Sequence, residues 1–94
     1  MSVEETLRER GSRYGDFSEH AVIAQNLKFA MMKGSLSGDP LAGWGRLNAV
    51  QRQALEVIAD KIARILSGDP NYADNWHDIQ GYARLVEERL PDAS

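Results

Sequence analysis

Asn48-Ala49-Val50-Gln51-Arg52-Gln53-Ala54-Leu55-Glu56-Val57-Ile58-Ala59-Asp60-Lys61-Ile62-Ala63-Arg64-Ile65-Leu66-Ser67-Gly68-Asp69-Pro70 is the stretch that decides the fold. Val50, Ala54, Val57, Ile58, Ile62 and Ile65 recur at helical spacing, and Leu55 and Leu66 widen the stripe. Asn48 is a good N-cap, Gly68 a good stop, and Asp69-Pro70 forbids continuation. The spacing therefore predicts a helix over 49–67. Its apolar face is wide enough to touch two neighbours, one of them from another subunit.

Working outward, Trp76, Ile79, Ala83, Val86 and Leu90 predict a second helix from about 74 to 90, ended by Pro91. A connection this short makes the two helices antiparallel. Upstream, Asp16 with Glu19 has capping-box spacing and opens a helix over 17–33, with Ile23, Leu27, Ala30 and Met31 as its stripe. Ser2 with Glu5 opens a short, charged helix over 2–10 that Gly11 can stop. Residues 34–47 read as a long Gly-rich loop, which Leu36, Leu41 and Trp44 can pin to the core. No alternating Val/Ile/Thr-rich run occurs, so no sheet is expected. The expected fold is one all-α domain, a small helical bundle over residues 1–94.

Composition narrows the function. Ninety-four residues leave room for one small domain, which buries only about 60–65% of its unfolded surface. Self-association, a homo-oligomer, is the expected remedy. The net charge of −3 argues against a duplex-DNA binder. The absence of cysteine removes thiol catalysis, thiolate zinc sites and iron–sulfur clusters. Nothing reads as a membrane span or a secretory signal, so a cytoplasmic location, that of the host cell for a phage product, is the expectation. His20 and His77 have no zinc-ligand spacing, no serine sits in a nucleophile elbow, and Gly43-Trp44-Gly45-Arg46 lacks the lysine of a phosphate loop.

Two stretches carry ligand-like chemistry. In Arg10-Gly11-Ser12-Arg13-Tyr14-Gly15-Asp16-Phe17, Arg10 and Arg13 flank a Gly-rich turn before a helix N-terminus, a setting that suits an anion. Arg13 offers a bidentate fork and Tyr14 a stacking face, although a solvated turn has the same composition. In the stretch from Asp60 to Ala83, Lys61 and Arg64 can neutralise phosphates, with Lys28 joining from the 17–33 helix. Tyr72, Trp76 and Tyr82 can stack on a base, and Asp78 sits beside the apolar stripe within reach of the neighbouring helix. The plainer readings are an Asp60–Arg64 ion pair, Trp76 in the core, Asp74 as an N-cap and Tyr72 as loop packing. Gly81, inside a helix, points to close helix approach or to a ligand that needs room.

The residues Arg13-Tyr14-Gly15-Asp16-Phe17 through His20, with Lys61-Ile62-Ala63-Arg64-Ile65, Gly68-Asp69-Pro70-Asn71-Tyr72-Ala73-Asp74-Asn75-Trp76-His77-Asp78-Ile79 and Gly81-Tyr82-Ala83, resemble a family of small phage and prophage proteins of unassigned function. More distantly they resemble phage nucleotide-modification-associated domains and the all-α NTP pyrophosphohydrolases of the MazG and dimeric dUTPase group. That resemblance implies a helical, oligomeric protein that binds a nucleotide. Its leading form is capture, without turnover or cofactor, of a nucleotide-derived immune messenger such as a cyclic oligonucleotide or an ADP-ribose derivative. The enzymatic form is a Mg²⁺-dependent pyrophosphohydrolase using Glu56, Asp60, Asp74 and Asp78, although these acids are spaced by four residues where that group uses three. Apart from the resemblance, a third reading is a protein–protein inhibitor module that docks its apolar faces on a host protein, which an exposed patch of Leu36, Leu41 and Trp44 with no basic pocket would support.

Overall fold

The computed structural model describes residues 2–34 and 42–91. Leu36 and Leu41 lie outside the described residues. The described residues form four α-helices and one 3₁₀ turn: α1 (Val3–Tyr14), α2 (Phe17–Lys33), a turn over Gly43–Arg46, α3 (Ala49–Ser67) and α4 (Ala73–Glu87). Among the described residues there is no strand, and no helix is long and apolar enough to cross a membrane.

The caps are local chemistry. The Ser2 hydroxyl accepts from the Glu5 amide, and the Asp16 carboxylate accepts from the Glu19 amide. Asn48 and Gln51 form a reciprocal capping box that fixes the start of α3. Each satisfies backbone groups that a helix end would otherwise leave unpaired.

Three boundaries differ from the sequence reading, one of them the end of α4, which stops at Glu87, three residues short of the expected Leu90 and before Pro91 can act. Gly11 does not stop α1, which runs on to Tyr14. A Glu9–Arg13 ion pair at 3.1 Å spans the Gly11 turn and offsets part of the cost of glycine in a helix. The stop falls at Gly15, whose φ of 82° is the left-handed value that glycine tolerates best. Asp74 is not the N-cap of α4, because Tyr72 holds that position without a side-chain cap. The Asp74 carboxylate instead accepts from the Tyr72 hydroxyl at 2.9 Å.

α3 is the central element. α2 and α4 pack on it and have little contact with each other. Lys61 of α3 meets Asp78 of α4, while the start of α3 borders Tyr82, Leu85 and Val86 of α4. Only an antiparallel pair gives that register. The side chains that pack flush are small: among the described residues, the buried apolar ones are Ala24, Ala54, Ala59 and Ala63. Trp76, expected in the core, is 51% exposed. It lies over the α3–α4 connection, where its indole N–H donates to the Pro70 carbonyl at 2.8 Å. Asn75 takes the buried place beside it. Among the described residues, nothing lies within 4 Å of the position a methyl group on Gly81 would take, so no close approach of a described helix explains it.

Candidate functional site

The site is assembled by backbone contact between two connections. At the α1–α2 junction, Arg13 offers its carbonyl to the Asp69 amide at 3.1 Å, and Tyr14 offers its carbonyl to the Ser67 hydroxyl at 3.0 Å. Both donors belong to the α3–α4 junction. The last turn of α1 is thereby fixed beside the last turns of α3, and residues distant in sequence become neighbours.

Arginine and tyrosine side chains dominate the cluster that results. The Arg64 guanidinium lies 4.8 Å from the centre of the Tyr14 ring, and that of Arg10 lies 5.6 Å from it. Arg13 sits 5.4 Å from the Tyr72 ring, and the two tyrosines meet edge to face at 5.7 Å. Such cation–π pairs hold the guanidiniums in place while leaving their N–H groups free to donate. Arg13 is also tied to Glu9. Among the described residues, neither Arg10 nor Arg64 has a carboxylate within ion-pair distance.

Arg10, Tyr14 and Arg64 line a groove of about 590 Å³ together with Leu7, Gly15, Asp16, Phe17 and His20. Phe17 is 79% exposed and lies parallel to the His20 ring at 6.2 Å. The groove therefore offers cationic donors on one part of its wall and a flat, wettable ring on another. Burial pushes the His20 imidazole pKa below its ordinary value. Arg64 and Lys28 lower it further, and Asp60 opposes them. The start of α2 is not itself an open anion site, because the Asp16 carboxylate already occupies it.

Of the ten residues singled out for binding, the structure brings five together. Arg10, Tyr14 and Arg64 face the groove, and Arg13 and Tyr72 buttress it. Lys28 is held by Asp60 at 3.1 Å, next to His20. Lys61 and Asp78 pair at 2.8 Å, and Lys61 holds the Asp78 carboxyl below its usual pKa. Trp76 is engaged at Pro70, and Tyr82 borders a separate apolar groove between α3 and α4. None of Lys61, Trp76, Asp78 and Tyr82 lines the cationic groove. Phe17 and His20 are wall residues that sequence reasoning does not single out. A signal for them exists, because positions i and i+3 at the start of a capped helix share a face.

Three of the four acids of the enzymatic reading, Asp60, Asp74 and Asp78, are engaged apart from one another. Asp60 faces Lys28 and His20, Asp78 faces Lys61, and Asp74 faces Tyr72. Among the described residues, no group of three or more His, Asp or Glu side chains is placed to hold a metal ion. Among the described residues, this arrangement does not fit the Mg²⁺ centre that a pyrophosphohydrolase of this type needs.

No protein-family model, no curated protein and no solved structure matches the chain.

Proposed function

We propose that the chain captures a phosphate-bearing, nucleotide-type small molecule in the groove between α1, α2 and α3, without turning it over. The observation that carries this reading is the pair of arginines, Arg10 and Arg64, held against Tyr14 with no carboxylate partner among the described residues. Two fixed guanidiniums at the edge of a groove supply the charge-assisted, bidentate donors that phosphate prefers. Tyr14 is already engaged by both, so the ring available to a base is Phe17, backed by His20. A volume of about 590 Å³ suits a ligand of nucleotide or dinucleotide size.

Capture is preferred to hydrolysis because three of the four acids that would hold a metal, Asp60, Asp78 and Asp74, are engaged separately by Lys28, Lys61 and Tyr72. In a phage-encoded protein, capture of this kind would withdraw a nucleotide-derived immune messenger from the host cell.

Calorimetric titration against mononucleotides, cyclic dinucleotides and ADP-ribose tests the reading. Binding of at least one is expected, weakened at least about tenfold by Arg10→Ala or Arg64→Ala, as the loss of one charge-assisted contact implies. Arg84→Ala, on the far helix, should leave it unchanged. Failure of every ligand to bind would sink the proposal, and steady release of pyrophosphate from a nucleoside triphosphate would replace capture with catalysis.

A further inference from the structure

We propose that a second copy of this chain packs against the outer face of α2 and supplies the layer that the single chain lacks. A folded chain of 10.5 kDa ordinarily exposes about 5,400 Å². This one exposes 6980 Å². The excess, about 1,500 Å² per chain over its whole surface, leaves room for the roughly 800 Å² that each partner of a standard interface buries. The chain is also expanded, with a radius of gyration of 15.8 Å where about 12 Å is usual for its length. The cause is visible in the topology. α2 and α4 both lean on α3 and scarcely pack on each other, which makes a single layer of helices. Stable domains close such a layer with a second one.

α2 carries the means of closure. Its inner face, with the buried Ala24, is used against α3. A second stripe runs along the other side: Val22 is 61% exposed, Phe29 67% and Met32 42%. With Ser18 and Gln25 these positions follow the alternating four- and three-residue spacing of a coiled-coil seam. One helix presenting such a seam to solvent is unusual, whereas two copies of it bury each other. The isologous contact of a two-fold dimer needs only this one patch.

Sedimentation velocity on the full chain from about 1 to about 100 µM, a span that brackets the affinities of ordinary dimers, tests this. A mass of twice 10.5 kDa or a higher multiple is expected. Phe29→Glu should raise the dissociation constant at least about tenfold, while Leu90→Ser, exposed but off the seam, should not. A second readout does not depend on the charged variant folding. The chain has no cysteine, so Met32→Cys gives a single thiol. Its alkylation should be slow in concentrated protein and should speed up on dilution below the dissociation constant. A monomeric mass at the highest concentration would overturn the proposal. So would an assembly indifferent to Phe29→Glu, or a Met32→Cys thiol whose reactivity ignores concentration.

Discussion

Gly15 and Gly68 lie so close that neither could carry a side chain. A Cβ built on Gly15 would overlap the Ser67 carbonyl, and one on Gly68 would come within 2.6 Å of the Arg13 carbonyl oxygen and 2.7 Å of the Gly15 nitrogen. Each junction thus needs the other's glycine, and the groove exists because both are present. Gly15→Ala adds to the collision a backbone conformation, φ 82° with ψ −171°, that essentially only glycine adopts, at roughly 1–3 kcal/mol for the conformation alone. The expected total loss is at least about 2 kcal/mol, or a melting temperature lower by about 10 °C for a chain of this size. Gly68→Ala isolates the collision and should cost less than Gly15→Ala. Thermal unfolding followed by circular dichroism orders the two, and equal stability of both variants with the parent would remove the contact from the argument.

Gly81 is the counter-example. It lies inside α4, exposed, with nothing among the described residues near the place a methyl group would take. Gly81→Ala should therefore raise stability by about 0.5–1 kcal/mol, because alanine restricts the unfolded chain and favours helix. A destabilised variant would mean that something outside this chain, such as a ligand or a second copy, approaches α4 there.

These glycines also mark what the sequence can and cannot say. The helices over 17–33 and 49–67 are legible because capping residues and apolar period agree at both ends. The junction of Gly15 with Gly68 is not, because a contact across more than fifty residues leaves no local periodicity. For the same reason Arg10, Tyr14 and Arg64 are recognisable as phosphate-type residues, but their convergence on one groove is not. Trp76 falls outside the core because helical spacing identifies a stripe without saying where along it the partner helix ends. The last turn of α3 gives way to the Pro70 loop just where the indole lies. Asn75 is the residue that spacing alone is least able to find, since a buried amide breaks the usual apolar pattern.

Lys61 and Asp78 join α3 to α4 through a charged contact at 2.8 Å. The Lys61 ammonium is largely buried while the Asp78 carboxylate remains open to water. The carboxyl pKa is lowered in the fold, chiefly by the Lys61 hydrogen bond and against the effect of burial. Its contribution to stability is thus complete above the unfolded carboxyl range and is lost as pH falls through the lowered folded value. Screening at the exposed carboxylate limits that contribution to about 1 kcal/mol. Lys61→Met should abolish this part of the acid-side loss in a series of melts from neutral pH down to about pH 3, below the ordinary carboxyl range, and it should leave ligand binding intact. Loss of binding in Lys61→Met would place the lysine in the groove after all.

His20 gives the groove a pH dependence whose sign separates folding from binding. Its pKa is lowered by burial first, then by Arg64 and Lys28, with Asp60 alone opposing. The unfolded chain therefore takes up the proton at pH 6.5 while the folded one still resists, and stability falls as pH drops from 6.5 toward the folded value. An anion bound between Arg10 and Arg64 reverses the local field, raises the imidazole pKa and brings a proton with it. Affinity for a cyclic dinucleotide, whose phosphodiesters keep their charge across this range, should rise as pH falls from about 7.5 to about 5.5, the span in which an imidazole titrates. His20→Asn should flatten the curve without abolishing binding, because the two arginines remain. Titrations in buffers of different ionisation enthalpy would show net proton uptake by the parent chain and none by the variant. Affinity that instead falls on acidification would mean that the ligand does not lie within the field of His20, and the groove would have to be given up as its site.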